Sequence, residues 1–220
     1  ISSVFTNKKA PHMEDGIHIV DMYLNLIKTS LNIQKESKQF LLPESQGKKI
    51  EDFFQNQPEL TSKPIIGINP GAGFESKLWE LERFTQLADR IVAEMGCSIL
   101  LTWGPGEEQK VRQIAASMKH KSWVAPATSI KESIGLYKRL KLLVSCDSGP
   151  LHLCAALGVP TVSLFGPTDP KRNGAYGLNH GTVYREISCS FCWKKKCPLG
   201  TQECMKLLTV DEVFETVRCN

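Results

Sequence analysis

The amino-acid sequence predicts an α/β fold in which helices cover both faces of a parallel sheet. Three observations lead there. Short continuous apolar runs, such as IIGIN at 65–69 and LLVSC at 142–146, alternate with longer segments of helical period. Unbroken apolar runs belong to strands buried on both faces, and a helix after each strand makes the parallel crossover. Several runs end in glycine and proline, as at Pro70-Gly71, Gly104-Pro105-Gly106 and Gly166-Pro167, which turn the chain at the strand end.

The elements follow in order. Residues 17–33 carry apolar side chains at 20, 23, 24, 27 and 31, a helical stripe that needs a partner face. Residues 34–63 are polar, with Pro43, Gly47 and Pro58 as breakers. They read as a linker with one short helix at 50–54. Residues 65–69 are the first strand, and 79–94 form a helix with an apolar face at 81, 84, 87, 88, 91 and 92. A strand at 98–103 precedes a helix at 107–118, whose acidic first turn suits the positive end of the helix dipole. A brief strand at 123–125, a helix at 130–140 and a strand at 142–146 come next. Pro150 opens a helix at 150–157, and Gly158 suits its end. Strands at 161–165 and 182–187 and a helix at 210–218 complete the pattern. The predicted division is therefore 1–62, the end of a preceding domain plus linker, and 63–220, a complete sheet-based domain. No fixed-period repeat interrupts it.

Composition narrows the function. The 220 residues are 41% apolar and 23% charged, which excludes general disorder. With 27 basic and 23 acidic side chains the net charge is +4, too balanced for a dedicated nucleic-acid binder. No apolar run approaches the roughly 18–20 residues that span a bilayer. The chain starts at Ile1 without a charged and apolar leader, so it reads as a piece of a longer protein.

In open parallel sheets ligands bind beyond the carboxyl ends of the strands. Four loops fall there. In the first, Gly71, Ala72 and Gly73 permit close backbone approach, and Lys77 adds a point charge. It matches neither the phosphate-binding P-loop nor the dinucleotide fingerprint, and an ordinary tight turn is as good a reading. In the second, Asp147, Ser148 and Gly149 precede a helix with His152 in its first turn. Free amides at such a terminus suit a diphosphate. The plainer reading is that Asp147 or Ser148 caps the helix. The third holds Thr168 between Pro167 and Pro170. In the fourth, Glu107 is either a ribose acceptor or a helix-start carboxylate.

The chain resembles the carboxyl-terminal half of glycosyltransferase family 9, the heptosyltransferases. The matching pieces are Asn69-Pro70-Gly71-Ala72, Lys77-Leu78-Trp79 with Arg83-Phe84, Trp103-Gly104-Pro105-Gly106-Glu107, Asp147-Ser148-Gly149-Pro150-Leu151-His152 and Phe165-Gly166-Pro167-Thr168-Asp169-Pro170. The resemblance runs from Lys63 to the end, and His18, Val20, Asp21, Tyr23 and Leu24 resemble the close of the family's first domain. It implies a GT-B architecture of two Rossmann-like domains, of which this chain carries the doubly wound, donor-binding one. It also implies an inverting, metal-independent transfer of heptose from an ADP-sugar to a lipopolysaccharide core acceptor. No cofactor is expected beyond that donor. The work would take place in the cytoplasm, at the inner face of the bacterial inner membrane, by peripheral contact. By resemblance, Lys77, Asp147 and His152 stabilise donor and leaving group, and Gly71, Ala72, Gly73, Ser148, Gly149 and Thr168 line the donor. Glu107 holds the ribose, and adenine lies near 125–129. The base is expected in the preceding domain, so transfer by these residues alone is not. The alternatives are a nucleotide-binding or interaction module without transfer activity, and an epimerase, which would need a local acid–base pair.

Eight cysteines are unusual but too sparse for a disulfide scaffold. Cys97, Cys146 and Cys154 sit in apolar stretches as small core residues. Cys189, Cys192, Cys197 and Cys204 are spaced C-x2-C-x4-C-x6-C. Four thiolates can bind zinc tetrahedrally, helped by Lys194, Lys195 and Lys196. The spacing is not that of paired zinc ribbons, so free or partly disulfide-bonded cysteines are the favoured reading. The same lysines beside Trp193 form a solvated basic loop, or one that meets anionic lipid.

Overall fold

The computed structural model describes residues 16–33, 40–44 and 47–220. Six strands form one sheet: β1 (Ile65–Asn69), β2 (Ser98–Leu101), β3 (Trp123–Val124), β4 (Leu142–Cys146), β5 (Thr161–Phe165) and β6 (His180–Tyr184). The order is β3-β2-β1-β4-β5-β6, and every neighbouring pair is parallel. In β1, β2, β4 and β5 every residue is buried, which is why their sequences are continuous apolar runs.

Successive side chains point to opposite faces and build two cores. On one face Ile66, Ile68, Ile99, Leu101, Val144, Val162 and Leu164 pack with Phe84, Leu87 and Ile91 of α4 (Leu81–Met95). Val111 and Ile114 of α5 (Glu108–Ser117), Met205 of α9 (Glu203–Lys206) and Val213, Phe214 and Val217 of α10 (Val210–Cys219) join them. On the other face Ile65, Leu100 and Leu143 pack with Ile50 and Phe54 of α2 (Lys48–Gln55) and Leu60 of α3 (Pro58–Thr61). Leu136 and Tyr137 of α6 (Ile130–Tyr137) and Cys154 of α7 (Gly149–Ala156) complete that layer. The expected doubly wound sheet is therefore observed.

Local chemistry sets the helix ends. Ser129 and Glu132 form a reciprocal capping box at α6, and Thr209 and Glu212 another at α10. Gly96 ends α4 at φ +64°, a conformation in which a side chain would be strained.

Several boundaries differ from the sequence expectation. The stretch read as a linker holds α2 and α3 in its second half, with Leu60 fully buried; its residues 34–39, 45 and 46 lie outside the described ones. The helix expected from 79 starts at Leu81, because Glu80 is extended (φ −64°, ψ 133°). The strand expected to reach 103 ends at Leu101, where the Thr102 and Trp103 side chains turn to partners described below. The sixth strand spans 180–184 rather than 182–187; it is an edge strand and mostly half-buried, so its apolar signal is weak.

The first helix, α1 (Ile19–Leu31), buries none of its residues. His18 caps it: Nδ1 accepts from the Val20 amide at 3.2 Å, and Nε2 lies 3.0 Å from the Gly174 carbonyl. The tautomer protonated at Nε2 satisfies both bonds. The Tyr176 hydroxyl donates to Asp21 at 2.5 Å, so polar contacts anchor α1 to the stretch after α8 (Pro170–Asn173). Tyr23, Leu26, Ile27 and Leu31 are exposed, and the expected partner face for this stripe is not provided by the described residues.

Gly67, in the middle of β1, is required by close packing. A Cβ there would lie 2.5 Å from Leu140 Cδ1 and 3.0 Å from Leu143 Cδ1. Gly67→Ala is expected to destabilise by about 1–3 kcal/mol, as overpacked cores do. A fall in the urea midpoint at unchanged m checks it.

Candidate active site at the carboxyl ends of the strands

From β1 the chain winds outward through β2 and β3; from β4 it winds the other way through β5 and β6. The loops after β1 and β4 therefore diverge and leave a crevice at the switch point. Asn69 and Ser145 are register partners there. Asn69 is buried, donating Nδ2 to the Thr102 carbonyl at 3.1 Å and to its hydroxyl at 3.2 Å. Its Oδ1 accepts from the Gly71 amide at 3.2 Å. One side chain thus ties together the ends of β1 and β2 and starts the turn. Trp103 Nε1 donates to the Ala125 carbonyl at 2.8 Å, which fixes the end of β3 in the same layer.

The centre of the crevice is Asp147, the residue after β4, only 5% exposed. Its Oδ2 accepts from Lys77 Nζ at 2.6 Å and from the Thr168 hydroxyl at 2.7 Å. Its Oδ1 lies 3.5 Å from His152 Nε2. Burial raises the carboxyl pKa, but hydrogen bonds from His152, Lys77 and Thr168, with the Lys77 charge, outweigh it and hold the group below the usual carboxylate range. Asp147 is therefore ionised at neutral pH. Lys77 closes a 3-10 turn, Glu75–Lys77, and its Nζ sits 4.6 Å from the Phe74 ring centre, a cation–π contact. The ammonium has three donors, of which the Asp147 bond uses one.

Around this cluster the backbone is open. Ser148 is the N-cap of α7, yet its side chain makes no capping bond; its hydroxyl pairs with Ser145 at 2.8 Å. The capping role considered for Asp147 or Ser148 is thus not the observed one, and the positive end of the α7 dipole has no side-chain cap. Gly73 and Gly149 have nothing within 4 Å of a built Cβ. Neither has positive φ, so nothing in the chain itself demands glycine there. Gly71 is the opposite case: a Cβ would fall 2.1 Å from Glu107 Oε2. Glu107 lies against that bare backbone and accepts from the Gly104 amide at 3.0 Å. It precedes α5 as its N-cap residue without a side-chain capping bond.

The profile described as Glycosyltransferase family 9 (heptosyltransferase) matches residues 1–202. The chain belongs to this family. The match takes in the first 62 residues and the sheet domain as far as Gln202, further toward the start than the resemblance read from motifs. Lipooligosaccharide heptosyltransferase 2 of Campylobacter jejuni is 31% identical over 208 residues, 91% of this chain and 63% of that protein. Lipopolysaccharide heptosyltransferase 1 of Pseudomonas aeruginosa is 32% identical over 194 residues, 87% of this chain and 52% of that protein. The chain thus spans between half and two thirds of the length of these relatives. The structure of E. coli heptosyltransferase WaaC with ADP-2-deoxy-2-fluoro heptose superposes with a TM-score of 0.65 at 25% identity, covering 100% of this chain and 61% of that one. The GT-B kinship expected from the motifs is therefore observed.

In this heptosyltransferase-family chain, Lys77, Asp147, His152 and Thr168 meet in one hydrogen-bonded cluster. Gly71, Ala72 and Gly73 lie in the loop before it, Ser148 and Gly149 in the loop after β4, and Glu107 joins through Gly71. Sequence reasoning missed Asn69 as the tie between strand ends and Phe74 as the platform for Lys77. The signals were an amide residue at the last strand position and an aromatic three residues before the lysine. Ser76 was missed too: its amide and hydroxyl donate to the carbonyls of Lys195 and Lys194 at 3.1 and 2.5 Å. The cysteine-bearing loop is thereby fastened to the Lys77 turn. All eight cysteines are free thiols. No helix among the described residues is long and apolar enough to cross a membrane.

Proposed function

We propose that this chain is the donor-binding part of a heptosyltransferase that moves heptose from an ADP-sugar to a lipopolysaccharide core acceptor, with inversion and without a metal in the chemical step. The observation that carries it is the Lys77–Asp147–Thr168–His152 cluster at the switch point, beside an uncapped helix and two glycines whose Cβ space is empty. The relatives' printed names and the WaaC structure with an ADP-sugar analogue support the donor and acceptor class. Residues 63–220 are the nucleotide-sugar unit, and 1–62 bring the end of the preceding domain, with α2 and α3 packed onto the sheet.

The roles follow from charge. As the glycosidic bond breaks, negative charge grows on the departing diphosphate. Lys77, the half-exposed His152 and the first amides of α7 are donors fixed in place before it forms. Asp147 orients Lys77, Thr168 and His152 and keeps acceptor capacity for a sugar hydroxyl. Glu107 takes the ribose, and Gly71, Ala72, Gly73, Ser148 and Gly149 give the diphosphate close backbone. Adenine lies near 125–129. The acceptor hydroxyl is deprotonated on the opposite face by a base from the preceding domain. A lipid-linked acceptor brings the enzyme to the cytoplasmic face of the inner membrane, where the exposed Lys194, Lys195 and Lys196 face anionic headgroups.

Calorimetric titration with ADP, ADP-heptose and UDP-sugars tests this reading. Preference for the adenine nucleotides is expected; no binding, or tighter binding of UDP-sugars, overturns it. Binding without transfer by the intact protein would favour the non-catalytic alternative. Gly149→Ala sharpens the test. A Cβ there meets no protein atom, so stability should stay within about 1 kcal/mol of the parent, as a compatible Gly→Ala change allows. Affinity for ADP should fall, because the methyl occupies the diphosphate's space. Unchanged affinity would remove Gly149 from the site.

A further inference from the structure

Three successive lysines, Lys194, Lys195 and Lys196, stand exposed in the segment after β6. Their contacts set one of them apart. Lys196 Nζ pairs with Glu75 at 3.4 Å. Lys195 Nζ instead lies 5.7 Å from the centre of the Phe74 ring, within the range of a cation–π contact. The same ring carries Lys77 Nζ at 4.6 Å. Among the described residues no carboxylate pairs with Lys195; Glu75 is taken by Lys196 and Asp147 by Lys77.

The backbone holds this placement. Ser76, 2% exposed, donates its amide to the Lys195 carbonyl at 3.1 Å and its hydroxyl to the Lys194 carbonyl at 2.5 Å. Ser76 belongs to the 3-10 turn that Lys77 closes, so Lys77 and Lys195 are tied to one short turn. On the other side the Trp193 amide donates to the Pro167 carbonyl at 2.9 Å, next to Thr168. Residues 193–195 therefore bridge the two loops that present Lys77 and Thr168. The two ammonium groups on the Phe74 ring are no farther apart than about 10 Å, roughly one Debye length at 0.1 M salt. Each feels the other's repulsion, and an anion that meets both is attracted twice. Arg172 lies over the Trp193 ring at 5.1 Å, and among the described residues it too is paired with no carboxylate. The field on this side of the crevice is positive.

We propose that Lys195 is a second cation for the donor diphosphate, acting across the Phe74 ring from Lys77. The inference rests on the donor-site reading above and adds to that site a residue from outside the four strand-end loops. Its role differs from that of Lys77. Lys195 is exposed and keeps its rotamer freedom, so ordering it offsets part of the attraction. What is left acts on the diphosphate whether or not the sugar is still attached. It therefore strengthens the binding of donor and nucleotide product alike. Headgroup contact, proposed above for the three-lysine run, calls on the same phosphate chemistry from another source, and the experiment separates the two. The sequence shows the run of lysines but not the distant ring that one of them meets.

Calorimetry of Lys195→Met in the intact protein tests the assignment, with ADP and adenosine as probes. The side chain is exposed, so the urea midpoint should match the parent. Affinity for ADP should fall about three- to tenfold, between the worth of an exposed ion pair and that of a hydrogen bond to a charged group. Affinity for adenosine, which has no phosphate, should not change. Lys141→Met removes an equal charge at the exposed position before β4, away from the crevice, and should leave both affinities as they are. Flotation on vesicles of phosphatidylglycerol and phosphatidylethanolamine supplies the headgroup arm. ADP affinity within about twofold of the parent overturns the proposal; if vesicle binding falls in that same variant, Lys195 serves headgroups instead. An equal fall for adenosine, or an equal fall in Lys141→Met, overturns it too. A parent that binds no ADP overturns the donor-site reading itself, and this inference with it.

Discussion

Lys77→Met in the intact protein is expected to lower kcat for sugar transfer by about 10²–10³-fold, the usual cost of removing one fixed donor from a developing negative charge. The Lys77 side chain is only 13% exposed, and its bond to Asp147 at 2.6 Å and the Phe74 ring hold the ammonium in one place. It therefore needs no reorganisation as the diphosphate leaves. Methionine keeps the unbranched stem, one atom shorter, and removes the charge. The loss should appear mainly in kcat, because the charge it meets grows toward the transition state. Steady-state kinetics with ADP-heptose and calorimetry with ADP separate the two. A kcat within about threefold of the parent would leave Lys77 without a leaving-group role.

Asp147→Ala is expected to destabilise the fold by about 3–5 kcal/mol, the range for breaking a buried ion pair from one side. The alanine leaves the Lys77 cation and the buried Thr168 hydroxyl without their acceptor. Lys77→Met combined with Asp147→Ala should cost much less than the sum of the single changes, since both charges go together. The effect also has a pH signature. The folded carboxyl lies below its unfolded value of about 3.9, so its stabilisation is present above that value and is lost as pH falls through the folded one. Urea midpoints of parent and variant should converge as the pH drops below about 4. A gap that stays constant to low pH would show that Asp147 carries no ionisation-linked stability.

The strands were legible because burial on both faces leaves no polar positions to blur the pattern: β1, β4 and β5 lie at the expected residues. Helix starts were less so. The chain after Glu80 begins α4 only at Leu81, and a cap is a matter of two dihedral angles that composition does not encode. The functional loops could be named because they follow recognisable strands. Their mutual contacts could not: Lys77 and Asp147 are 70 positions apart, and Asp147 and Thr168 are 21 apart. A capping role for Asp147 or Ser148 was the simpler local reading, and long-range partners replaced it.

Local pattern was sufficient for the fold class, the doubly wound sheet and the family, since each depends on residues close together in sequence. Tertiary structure alone decided that α2 and α3 pack onto the sheet, that Asn69 ties two strand ends, and that Asp147 is the hub joining three other side chains. The physical reason is common to all of these. Strand order and crossover direction set which distant residues meet, and that geometry is a property of the packed sheet rather than of any segment within it.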